Sequence, residues 1–187
     1  MAGRVTTTGA PDPRSGPVLL CYDGSDAATD AVAYAGALLP GARALVVSVW
    51  KPVAEEALAP AAKPPPSDAA DVNDESREAA LQMARVGTRH ATAAGLDAEP
   101  VAVEVLGRTW EVIELVAEEH DAQLIVCGTG RAGVKSLLPG DLPGALVDHA
   151  SVAVLVVPSS KAAADRRRDV RESRAARRRV SGRVRSG

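Results

Sequence analysis

The sequence predicts a single α/β domain: a doubly wound parallel sheet with helices on both faces. Two observations predict it. Five short apolar runs alternate with helical stretches in the order β-α-β-α-β-α-β-α-β, the order of a parallel sheet with right-handed crossovers. Hydrophobic residues make up 46% of the chain but aromatics only 2%, and Phe is absent. The core must be built from Val, Leu, Ile and Ala, which suits strands buried on both faces. The 187 residues are enough for one such domain with appendages.

Residues 1–16 are polar, with Gly and Pro, and are expected to be disordered. The run VLLCY at 18–22 is the first strand, and the turn Asp23-Gly24-Ser25-Asp26 can cap the Ala-rich helix at 27–39. ALVVSVW at 44–50 is the second strand. Residues 52–74 are rich in Pro, Ala and acids and read as a long loop. An amphipathic helix follows at 75–94, with Leu81, Ala84, Thr88 and Ala91 as its small-residue face. The third strand is expected at 100–106 and the third helix at 110–120, with Val112, Ile113, Val116 and Ala117 turned inward. LIVCG at 124–128 is the fourth strand, a short helix spans 142–149, and VAVLVVP at 152–158 is the last strand.

In such sheets a ligand sits beyond the strand C-termini, where the strand order reverses. Asp23 follows the first strand, Gly107 the third, and Gly128 and Gly130 the fourth. The stretch CGTGRAGVKSLLPGDLPGAL at 127–146 is the chemical centre of the sequence. Glycines after a strand let a phosphate approach the backbone, and the next helix start offers free N–H groups. Gly128, Gly130 and Gly133 spell G-x-G-x-x-G, the dinucleotide fingerprint. The context argues against that reading. Pro139-Gly140 interrupts the helix the motif should open, the motif sits in the last βαβ unit, and the next strand ends in Val157-Pro158 rather than an acid.

From 124 to 158 the chain instead resembles universal stress proteins. Nine residues separate Gly130 from Gly140, Asp148-His149-Ala150 ends the short helix, and a Val-rich strand follows. Asp23-Gly24-Ser25 resembles the family's opening motif, and the resemblance covers about residues 17–158. It implies strand order 3-2-1-4-5, usually a homodimer, here through the last strand from Val152 to Val157. It also implies an adenine nucleotide such as ATP, with or without Mg2+. Asp23 and Val49 would hold adenosine; Gly128, Gly130, Gly140 and position 141 would hold ribose and phosphates. Cys21, Gly107, Cys127, Arg131 and Leu142 complete the candidate set.

Two positions depart from the family pattern. Only Thr129 separates Gly128 from Gly130, and Asp141 stands where the family carries Ser or Thr. Asp141 is a favourable N-cap whose carboxylate would use the N–H donors a phosphate needs. A carboxylate about 4 Å from a phosphate charge also repels it by about 4 kcal/mol at an effective dielectric of about 20, unless Mg2+ intervenes. The expectation is weakened ATP binding or preference for a nucleotide with fewer phosphates. The alternative is a nucleotide-free dimeric interaction module.

Cys21 and Cys127 end neighbouring strands in that order, either as a redox pair or as two buried small hydrophobes. The three His residues show no Ser-His-Asp or metal-ligand spacing, so an enzyme of a related α/β superfamily is disfavoured. Slow ATP hydrolysis, known in the family, has no evident base here. No secretory signal and no run of membrane-spanning length is evident, giving an expectation of cytoplasmic residence.

Charge is unevenly distributed. Residues 161–187 carry eleven Lys or Arg against three acids, a net +8, leaving −10 for the rest. The segment at 159–187 is expected to be a disordered basic tail, or one with an anionic partner, nucleic acid or lipid.

Overall fold

The computed structural model describes residues 16–53, 69–129 and 142–184. Among these, strands and helices alternate as β1 (Val18–Cys21), α1 (Asp26–Leu38), β2 (Arg43–Trp50), α2 (Ala69–Ala93), β3 (Asp97–Glu104), α3 (Thr109–Glu119), β4 (Leu124–Thr129), α4 (Leu142–His149), β5 (Ala153–Pro158) and α5 (Ser160–Val184). The strands form one sheet in the order β3-β2-β1-β4-β5, and every pairing is parallel. The expected strand order and doubly wound architecture are therefore present.

Side-chain alternation along the strands sorts the core into two layers. Val18, Leu20 and Tyr22 lie in a cluster with Ala28, Ala31, Val32 and Ala35 of α1 and Ala91 of α2. Leu19 and Cys21 lie in the other, with Ile113, Val116 and Ala117 of α3 and Leu142 and Leu146 of α4. Helices thus cover both faces, and the central strands β2, β1 and β4 read as largely apolar runs because neither face meets water.

Three sequence expectations shift. Helix α2 starts at Ala69, not at 75, and its contact face is Ala80, Ala84, Gly87 and Ala91. Leu81 and Thr88 are only half-buried on its flank. The reason is spacing: a Cβ on Gly87 would come within 2.7 Å of both the Tyr22 ring and Val46 Cγ1, so only the smallest residue fits there. The side chain of Asn73, in the segment expected to be loop, accepts a hydrogen bond from the Val53 backbone N–H at 2.8 Å.

The third strand runs Asp97–Glu104 rather than 100–106. Pro100 lies inside it, opposite Val46. An edge strand tolerates a residue with no N–H, and β3 is at the edge of the sheet.

The basic segment expected to be disordered is helical over Ser160–Val184. A low apolar content prevents core formation but not helix formation, since a helix satisfies its backbone internally. Ala and Arg are strong helix formers. The Ser159 hydroxyl accepts the Ala162 N–H at 3.2 Å, as an N-cap does. Asp165 and Arg168, three residues apart, pair at 2.8 Å on the exposed surface.

Candidate functional site

The strand order reverses between β1 and β4, since β2 and β3 lie to one side of β1 and β5 lies beyond β4. The crevice of a doubly wound sheet opens at such a point, beyond the strand C-termini. Strand β1 stops at Cys21, opposite Val47, while β2 continues to Trp50. The chain leaving β1 is nonetheless held. The Tyr22 N–H donates to the Val47 carbonyl at 2.9 Å. The buried Ser48 hydroxyl then donates to the Tyr22 carbonyl at 2.7 Å. These two bonds fix the strand end from which Asp23 departs.

Asp23 is half-buried, and its carboxylate accepts the Ser25 N–H at 3.0 Å. This is an Asx turn, a local closure that Asp favours. Ser25, not Asp23, is the N-cap of α1, with its hydroxyl accepting the Ala28 N–H at 3.1 Å. The Tyr22 and Thr29 hydroxyls lie 3.3 Å apart, tying the first turn of α1 back to the end of β1. Asp23 is thereby placed at the crevice mouth by three elements: β1, β2 and the α1 cap.

On the β4 side, Gly128 is required by close packing. A Cβ there would come within 2.4 Å of the Ala27 carbonyl carbon and oxygen in the first turn of α1. Only glycine lets β4 approach the helix start so closely. Thr129 follows, and its Oγ1 is buried with no hydrogen-bond partner among the described residues.

Beneath these groups, Cys21, Val49, Cys127 and Leu142 share one buried cluster with Val105. Val49 and Leu142 are each only 4% exposed. They form a floor, with their side chains closed off rather than standing at a rim. Gly107, with φ of 94°, lies past the end of β3, on the far side of β2 from β1. The structure thus gathers Cys21, Asp23, Val49, Cys127, Gly128 and Leu142 around the ends of β1, β2 and β4, while Gly107 lies in the connection from β3 to α3. Gly130, Arg131, Gly140 and Asp141 lie outside the described residues.

The β1–β4 register pairs Leu20 with Val126, and its next step brings Cys21 beside Cys127. Neither forms a disulfide, and both are buried. Burial pushes the Cys21 thiol well above its ordinary range, and the neighbouring Cys127 and Asp23 add to the shift. The reactive form of a cysteine is the thiolate, so Cys21 is held as an inert thiol that packs as a small hydrophobe.

The three histidines are all exposed and lie in or at the end of different helices. The His149 ring stacks on Trp110 at 4.4 Å, and His90 sits 6.1 Å from the Tyr22 ring, tilted. No group of three or more His, Cys, Asp or Glu with metal-binding geometry occurs among the described residues. No described helix is long and apolar enough to cross a membrane.

Sequence reasoning missed Ser48 and Thr129. The signal for Ser48 was one hydroxyl in an otherwise apolar strand, and such a residue needs a buried partner.

Comparison with known proteins agrees with this architecture. The model of the universal stress protein family matches residues 15–158. A solved universal stress protein in complex with cAMP is 27% identical, with TM-score 0.56, covering 78% of this chain and 98% of that one. A family protein from Burkholderia pseudomallei is 24% identical, with TM-score 0.55, covering 79% and 99%. An Arabidopsis thaliana family protein with AMP bound is 14% identical, with TM-score 0.52, covering 78% and 92%. The last two identities speak for the fold alone. No curated protein matches the chain. The strand order, the crevice at its reversal and the family match over the whole α/β domain lead to one conclusion: this chain belongs to the universal stress protein family.

Proposed function

We propose that this chain binds an adenine nucleotide in the crevice between the ends of β1 and β4 and acts as a stress-response regulator. The observation that carries this reading is the anchored Asp23 at the crevice mouth. Its strand end is fixed by the Ser48–Tyr22 bond and its turn by the Ser25 N–H. A pre-set carboxylate at a switch point suits the hydroxyls of a ribose, as an acid does in other doubly wound nucleotide sites. The relative solved with cAMP supports the class of ligand. Gly128 fits a backbone that must approach a ligand closely, and Gly130, Gly140 and position 141 would complete the phosphate side.

Occupancy would bias a homodimer or a partner surface rather than drive chemistry. Strand β5 lies at the edge of the sheet, with Val154, Leu155 and Val156 half-buried, and is the surface through which a second copy would pair. Asp141 sets the preference: its carboxylate disfavours the distal phosphates, so AMP or ADP is favoured over ATP. Mg2+ bound with the nucleotide would reduce that penalty.

The near-complete burial of Val49 and Leu142 favours a second reading, a nucleotide-free dimeric interaction module. Calorimetric titration with AMP, ADP, ATP and cAMP separates the two, with and without Mg2+, on wild type and Asp141→Ser. The expected result is wild-type binding of AMP and ADP about tenfold or more tighter than metal-free ATP, with the gap narrowed by the substitution. Binding only after the substitution supports the second reading. No binding by either protein overturns the nucleotide site.

A further inference from the structure

Helix α5 has no role in the nucleotide reading, and its charge is arranged rather than merely abundant. Helical spacing puts positions 167, 171, 174 and 178, all Arg, in one row. The acids of the helix, Asp165, Asp169 and Glu172, fall in a second row on the opposite side. Past Glu172 the helix has no acid at all. Arg166, Arg167, Arg168 and Arg171 are exposed. Among the described residues, no element of the domain packs along α5. It is tied to the body at its root, where the Ser160 N–H donates to Asp30 of α1 at 2.6 Å.

We infer that α5 is a nucleic-acid-binding helix that engages the phosphate backbone of duplex DNA through the Arg167, Arg171, Arg174 and Arg178 row. Charge complementarity carries this. Residues 1–160 have net charge −10 and repel a polyanion, so the cationic helix is where contact can occur. The row spans about 16 Å at 1.5 Å per residue. Duplex DNA offers one phosphate charge per about 1.7 Å of axis, and its major groove is wide enough to admit an α-helix.

The composition of the helix excludes the other anionic surfaces. It carries no aromatic residue, so it cannot stack on the bases of a single strand. Its large apolar residues are three valines, Val170, Val180 and Val184. A helix lying in a lipid interface needs a broad apolar face of Leu, Phe or Trp to bury. With no base-reading pattern, contact is to phosphates and carries no sequence preference.

The test uses the full chain and a fluorescently labelled duplex of about 20 base pairs, followed by anisotropy between 50 and 200 mM NaCl. Four phosphate contacts predict a log–log salt slope of about −3.6, or about 150-fold weaker binding across that range. Substitution of the four row arginines by Gln keeps helix propensity. It should weaken binding at least tenfold at 50 mM salt and flatten the slope, with the circular dichroism unchanged. Substitution of the same four by Lys should retain both affinity and slope. No binding at 50 mM salt overturns the inference, as does equal binding by the Gln variant. Tighter binding to phosphatidylserine vesicles than to DNA overturns it in favour of lipid. Salt-dependent self-association without DNA binding overturns it in favour of the acidic body of a second copy. None of these readouts depends on the nucleotide site, whose titration is unaffected by the row substitutions.

Discussion

The two faces of the sheet are packed by different means. On the α1/α2 side the helices present mainly small residues, Ala28, Ala31, Ala35, Ala84, Gly87 and Ala91, with Val32 the largest that is fully buried, and Gly87 packs directly under Tyr22 and Val46. On the α3/α4 side the contacts come from Ile113, Val116, Leu142 and Leu146. One face is defined by volume that must be absent and the other by volume that must be present. The first face carries the α1 start that shapes the crevice mouth. The second carries its floor. A core almost without aromatics can afford this division because short side chains let one helix layer sit close.

The two faces should therefore fail under opposite substitutions. Ile113 is fully buried in α3, and Ile113→Ala should cost about 3 to 4 kcal/mol through the cavity it leaves. Gly87→Ala adds a methyl group where Tyr22 and Val46 leave no space. It should cost about 1 to 2 kcal/mol, overpacking outweighing the gain in helix propensity. Urea denaturation of both variants checks the comparison. A stabilising Gly87→Ala would show that the α2 face yields and that the contrast is false.

Ser48 lies between the faces, at the strand ends. Ser48→Ala leaves the Tyr22 carbonyl without its 2.7 Å donor and should cost about 1 kcal/mol. The same variant should weaken nucleotide binding more than its stability loss alone requires, because Asp23 then departs from a loosened strand end. Equal affinity in calorimetry would assign Ser48 to stability only.

The smallest effect concerns the floor. The Cys21 thiol is pushed up by burial, so the folded protein resists its ionisation while the unfolded chain does not. That contribution is complete below the unfolded thiol value of about 8.5 and is lost as pH rises above it toward the higher folded value. Denaturation between pH 7 and 10 should show a shallower alkaline decline for Cys21→Ala than for wild type. Identical slopes would mean that the floor admits water.

Much of the fold was legible because parallel strands buried on both faces are written as continuous Val, Leu and Ile runs. The strand order came with the family resemblance, and with it the adjacency of Cys21 and Cys127. The α2 face was set one residue off because Leu81 looks more apolar than Gly87. Hydrophobicity ranks side chains, whereas this contact selects for the lack of one. Helix α5 was missed because a run of arginines looks the same to a composition argument whether it is coiled or helical. Asp23 and Gly128 were legible from their place after strands. What holds Asp23 was not, since it depends on a serine from β2, 25 positions further along the chain.

The bond between Asp30 and Ser160 gives α1 a mechanical consequence. The helix whose first turn borders the crevice is also the mount of α5. A rod of 25 residues is about 37 Å long. A tilt of about 5° at its root therefore sweeps its far end through about 3 Å. Any small tilt of α1 passed through that bond would appear at the far end of α5 as a displacement about as large as a hydrogen bond is long.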